Sequence, residues 1–248
     1  MKRIASVFVL TICGVVQIGF SQSYLNVAQH YFETEQYANV VETLSANTSF
    51  NNYEAIELLG DAYAHQQLWG EAIAQYSVLV EEKPHVAQYH YKYGGAKAMK
   101  ALSGSKWQAL PLVFDAKDAF LKAASLDAQH IDTRWALVKL YMELPGIFGG
   151  STDKALHYAD ELEAISRVDG HLAKGFIYEK EVNINLAEQH YKTALNLGQS
   201  KTCFNTLADF YLKNGENAAA KAVLQSAFQT LDDTSFLDKI AQIESEMH

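Results

Sequence analysis

The chain has 248 residues, 49% of them hydrophobic, with three prolines and no Gly/Ser/Pro-rich linker, so one continuous structure with a full core is expected. Its formal net charge is −9. A phosphate backbone would be repelled and no basic cluster offsets this, which sets aside nucleic acid and attraction to an anionic bilayer.

Lys2 and Arg3 precede an almost continuously apolar stretch, Ile4 to Phe20, broken by Gln17. Gly19-Phe20-Ser21 then places small residues at −3 and −1 of a cut before Gln22. This is the anatomy of a secretory signal peptide over residues 1–21, and it resembles the export signals of Gram-negative bacteria. The mature chain is therefore expected in the periplasm or cell envelope, with no further membrane insertion. Removing Lys2 and Arg3 takes the formal charge from −9 to −11. Two alternatives stay open: an uncleaved anchor, and lipidation of Cys13, although Ile12 stands where a lipobox wants a small side chain. Cleavage leaves Cys203 as the only cysteine, read as a small buried hydrophobe on a helix.

From Ser21 onward, apolar and small residues recur at helical spacing. A tyrosine recurs at Tyr31, Tyr63, Tyr141, Tyr178 and Tyr211. Nine residues after four of these come Val40, Ala72, Ala187 and Ala220. Four further stand Leu44, Tyr76, Tyr191 and Leu224, and three beyond come Leu79, Ala194 and Ala227. The small residue suits a close crossing of two helices, and the bulky ones fill the space between one helix pair and the next. The fullest copy reads Leu59-Gly60-x-x-Tyr63, then Trp69, Ala72, Tyr76 and Pro84.

These spacings resemble the 34-residue tetratricopeptide repeat (TPR). The resemblance implies an all-α, TPR-type α-solenoid over residues 22–248, of about six helix-turn-helix units beginning near Ser21, Tyr53, Ala87, Ile131, Val168 and Lys201. In the third unit Lys97 takes the tyrosine position and Ala116, Phe120 and Ala123 mark the second helix, so ten residues are inserted. That insertion, with Trp107, Leu110, Leu112, Val113 and Phe114 and with Gly104 and Pro111 as breakers, is too apolar for a free loop; it is expected to pack back on the solenoid and extend the second helix, the alternative being an exposed hook for a partner. In the fourth unit Tyr141 to Ala155 leaves room for five extra residues. The final stripe Phe236, Leu237, Ile240, Ile243 and Met247 is read as a capping helix over residues 235–247.

Pro145-Gly146-x-x-Gly149-Gly150-Ser151 is similar to a loop in a subgroup of exported bacterial TPR proteins. The resemblance implies protein binding and names no partner. Read from the residues, Pro145 ends a helix, the glycines supply special backbone angles, and Ser151 or Thr152 N-caps the next helix near Asp153. A phosphate loop would need the lysine that Gly150-Ser151 lacks.

Nothing in the sequence assembles chemistry. Nine histidines include no His-Glu-x-x-His, no Cys-x-x-Cys is present, and no serine sits in a Gly-x-Ser-x-Gly elbow. No metal, cofactor or catalytic residue is expected. The concave face implied by the repeat would present Gln29, Phe32 and Glu33, then Glu57, Asp61 and His65, then Tyr91 and Met99. It would continue with Trp135, Lys139 and Glu143, with Phe176 and Lys180, and with Asn205, Asp209 and Lys213. The candidate partner-binding set is Asp61, Tyr91, Trp135, Lys139, Phe176, Lys180 and Asp209; its three aromatics are read either as anchors or as core residues, because the first helix of each pair also packs on its neighbours. The clamp that other TPR domains use on a terminal carboxylate is absent from Leu25, Gln29, Glu57 and Asp61. The expected role is a scaffold or adaptor that binds a protein or peptide, with self-association as a further choice of partner. The alternative is an accessory subunit holding a small ligand or peptide in a closed groove lined by Tyr91 and Trp135.

Overall fold

The computed structural model describes residues 24–46, 52–104 and 106–246, with side chains at 24–46, 52–104 and 109–245. The expected leader and Met247 lie outside them. Among the described residues every element is helical, and no helix is long and apolar enough to cross a membrane. The chain divides into two compact units, Met1–Ala128 and Gln129–His248.

The first unit holds three helix pairs: α1 (24–33) with α2 (Tyr37–Ser45), α3 (Tyr53–His65) with α4 (Trp69–Glu82), and α5 (Ala87–Ser103) with α6 (Lys106–Leu126). The second holds α7 (Ile131–Glu143) with α8 (Thr152–Ile165), α9 (Arg167–Lys180) with α10 (Ile184–Gly198), and α11 (Lys201–Lys213) with α12 (Asn217–Leu231). A last helix, α13 (Ser235–Glu246), packs on α12.

The small-residue positions are sealed. Val40, Ala72, Ala116, Ala155, Ala187 and Ala220 are wholly inaccessible, and Leu44, Tyr76, Phe120, Tyr191 and Leu224 are buried four residues on. Any larger side chain at the first set would force the two helices of a pair apart.

The repeat tyrosine also organises the turn. Its carbonyl accepts the backbone N–H of the residue five further on in four pairs: Gln36 to Tyr31, Leu68 to Tyr63, Asn183 to Tyr178 and Glu216 to Tyr211, at 2.8–2.9 Å. The residue between adopts left-handed φ each time, at Glu35 (58°), Gln67 (59°), Val182 (58°) and Gly215 (76°). This closure satisfies carbonyls that a helix end leaves open. In the fourth pair the N–H that reaches the Tyr141 carbonyl belongs to Ser151, at 3.0 Å. The five extra residues are thus looped out between unchanged ends. They hold the short 3₁₀ turn Gly146–Phe148 and Gly149 at φ 94°. A Cβ on Gly150 would lie 1.8 Å from the Leu144 carbonyl oxygen, so no other residue fits there. Ser151 caps α8 by accepting from the Lys154 N–H, and Asp153 sits in the first turn.

Two expectations need correction. Pro111 does not break a helix; it lies inside α6 and faces solvent, and the ten inserted residues lengthen α5 and α6 to 17 and 21 residues, with only Gly104 and Ser105 between them. Leu237 does not belong to the capping stripe, because it is 44% exposed while Phe236, Ile240 and Ile243 are buried. Cys203 is buried, with the Ser200 hydroxyl donating to its sulfur.

Candidate partner-binding surface

In the second unit, the first helices of successive pairs are stitched edge to edge. Lys180 of α9 reaches Glu143 of α7 at 2.6 Å, Lys213 of α11 reaches Glu179 of α9 at 2.9 Å, and Lys239 of α13 donates to Asn205 of α11 at 2.7 Å. On this face α7 presents Trp135, half-buried, with the Lys139 ammonium 5.6 Å over its ring. On α9, Phe176 is half-buried in the same way, with Lys180 5.7 Å over its ring. The four-residue spacing that aligns cation and ring is one helical turn. Lys139, Lys180 and Asp209 are exposed.

Trp135 is both core and surface. Its ring packs against the buried cluster that runs from Leu172 to Ile243. Its indole N–H donates to Asp169 Oδ1 at 2.9 Å, and Asp169 is itself held by the Ser166 hydroxyl at 2.6 Å. The indole is therefore fixed in orientation.

Of the remaining expected residues, Asp61 and Tyr91 lie in the first unit. Asp61 is occupied: it accepts the Tyr76 hydroxyl at 2.6 Å and pairs with Lys92 at 2.6 Å, and Lys92 also holds Glu57 at 2.5 Å. Tyr91 is half-buried, its ring centroid 6.1 Å from that of Phe120. Phe32 and His65 pack on Tyr37, the His65 ring stacked at 4.5 Å. An open depression at the α1–α2 turn is lined by Glu35, Gln36, Tyr37 and Gln66, and neither Tyr91 nor Trp135 lines it.

Charge divides unevenly along the chain. Residues 22–82 contain nine Asp or Glu and no Lys or Arg. Apart from Glu57 and Asp61, the acids described within that span are exposed, among them Glu33, Glu54, Glu71 and Glu82.

Sequence reasoning passed over a polar seam inside the second unit. Arg134, 4% exposed, pairs with Glu161 of α8 at 3.0 Å. Lys174 of α9 pairs with Asp160 (2.6 Å) and Glu163 (2.5 Å) of α8. His171 of α9 and His190 of α10 meet Nδ1 to Nδ1 at 2.9 Å. The signal lay in the repeat register. The residue seven before the repeat tyrosine is Ile56 in the second pair and Phe204 in the sixth, but Arg134 in the fourth and His171 in the fifth.

No family model matches the chain, and no curated protein matches it. Solved structures do. A tetratricopeptide repeat protein from Parabacteroides merdae superposes with a TM-score of 0.63 at 15% identity, over 92% of this chain and 86% of that one. The fold is a tetratricopeptide-repeat fold. Human IFIT1, solved as a dimer with PPP-AAAA, superposes at TM-score 0.66 and 14% identity, over 90% of this chain and 54% of its own. YrrB, described as a TPR protein with an unusual peptide-binding site, matches at TM-score 0.51 and 14% identity, over 73% of this chain and 87% of its own. At these identities the likeness is one of fold alone. The all-α TPR architecture expected from the tyrosine and alanine spacings is the one observed.

Proposed function

We propose that this protein is a non-catalytic scaffold or adaptor that binds a protein or peptide on the α7–α9–α11 face, and that it does so in a bacterial periplasm or envelope. The observation that supports the binding face is the pair of half-buried rings on neighbouring helices, Trp135 under Lys139 and Phe176 under Lys180. Half-exposed aromatics flanked by charge are the side chains that dominate binding energy at protein interfaces. Asp209 and Lys213 extend the face along α11. Export rests on Lys2, Arg3 and the apolar run to Phe20. The acid-only span 22–82 favours a basic segment as whatever contacts the first two helix pairs.

Affinity capture from the envelope fraction of the source cell tests this reading. The bait is the protein, and the control is the Trp135→Ala/Phe176→Ala variant, shown by circular dichroism to keep its helices; Tyr91→Ala is run separately. One protein should be recovered by the parent and lost by the double variant. Equal recovery by both would remove the face from the proposal, and recovery of nothing would sink the adaptor role.

A further inference from the structure

His171 and His190 face each other across the α9–α10 contact with their Nδ1 atoms 2.9 Å apart. Only one proton fits between them: one Nδ1 donates and the other accepts. A second proton would set two N–H groups head to head in a partly dry site, His171 being 13% exposed. The surroundings hold the rings in place. Tyr178 of α9 stacks on His190 with centroids 5.4 Å apart. From α8, Glu163 Oε1 stands 3.7 Å from His171 Nε2, on the opposite edge of that ring. The Lys174 ammonium beside them is bound to Glu163 and Asp160. From α7, Arg134 is paired with Glu161. On α10 itself, Lys192 pairs with Glu188, which also accepts the Tyr211 hydroxyl of α11.

We propose that the His171–His190 pair is an acid-sensitive latch between α9 and α10, closed when the two rings share one proton and opened when both are protonated. Two residues before His171, Asp169 holds the indole of Trp135, so the latch acts on the seat of that ring. Burial first, then His171 and Lys174, keep His190 below the ordinary histidine range, with Glu163 pulling weakly the other way. The sign follows. The unfolded chain takes up this proton near pH 6.5 while the folded one resists it. The latch's contribution to stability is complete above about pH 6.5 and declines as pH falls toward the lowered value in the folded state.

Imidazole nitrogen NMR between pH 8 and 5 tests the latch directly. His190 should protonate below the usual histidine midpoint, in step with a change at His171 Nδ1, and the Trp135 indole N–H signal should move over the same range. The urea midpoint should fall over that interval in the parent. In His190→Gln, whose amide still bonds but does not titrate, it should fall less and the indole signal should stay still. Two rings titrating independently at the ordinary histidine pH would overturn the proposal. So would a His190→Gln protein with the parent's full acid response. Should that variant not fold, the NMR titration of the parent decides alone. No partner is used, so the latch stands or falls separately from the binding face.

Discussion

The ring of Tyr76 occupies the space a side chain on Gly60 would need: a Cβ there would lie 2.6 Å from Tyr76 Cε1. Tyr191 stands the same way over Gly175, at 2.4 Å. Each ring then passes over its glycine, and its hydroxyl donates to a carboxylate on the glycine's own helix: Asp61 at 2.6 Å and Glu179 at 2.7 Å. Burial and these acids hold both phenols well above the ordinary tyrosine range.

Adding a methyl at either glycine therefore forces the ring out of place. Gly60→Ala and Gly175→Ala should each lose about 1–3 kcal/mol through overpacking, outweighing alanine's better helix propensity. Gly95, with nothing within 4 Å of its would-be Cβ, is the control. Gly95→Ala should gain about 0.5–1 kcal/mol, so urea unfolding of the three variants should give opposite signs.

Val182 is a β-branched residue at φ 58° in the α9–α10 turn, and it is 78% exposed. The equivalent position of the α11–α12 turn is Gly215. Val182→Gly should raise stability by about 1 kcal/mol, since left-handed backbone costs a branched residue roughly that much and no packing is lost. Gly215→Val should cost a comparable amount, and thermal unfolding measures both.

Arg134 is buried, while its partner Glu161 remains 36% exposed. Truncation leaves a carboxylate that water can still reach, so Arg134→Ala should cost about 1–3 kcal/mol, below the full penalty for an isolated buried charge. Arg134→Met, which keeps the aliphatic stem, should cost less, because part of the loss is packing. Chemical denaturation of the two variants separates stem from charge.

Asp233 accepts from Lys201 at 2.6 Å and from the Ser235 backbone N–H at 2.9 Å, tying the start of α13 to α11. Those bonds hold its carboxyl down to about 2. An ordinary aspartate titrates near 3.9, so this tie is fully present above that value and is lost as pH falls toward 2. Carboxyl carbon NMR should show Asp233 still ionised at pH 3, and Lys201→Met should return it toward the ordinary range.

The helix pairs were legible because their signal is local. A small residue nine after a tyrosine, followed by a bulky one four later, records a crossing that steric exclusion makes unavoidable, and Ala72 with Tyr76 or Ala187 with Tyr191 needs no knowledge of the rest of the chain. The ten-residue insertion and its lengthening of the second helix were legible from its apolar residues, but the place of Pro111 was not, since it reads as a breaker and lies within α6. The occupancy of side chains was not legible at all. Asp61 looked like an open groove residue, and Lys92, 31 positions away, turns out to hold it. Asp169, which the sequence did not single out, sits in the first turn of α9 and accepts from an indole 34 positions before it. Pairings of this kind depend on which helix faces set side by side, and no periodicity within one helix encodes that.

An indole has one hydrogen-bond donor and no acceptor. In Trp135 that donor is already committed to Asp169. Whatever rests against the ring meets a hydrocarbon plane and the nearby ammonium of Lys139, with no polar group left on the ring to read out a particular sequence. On the proposed binding face, such a contact would grade its visitors by flatness and charge, and would tolerate wide variation in everything else about them.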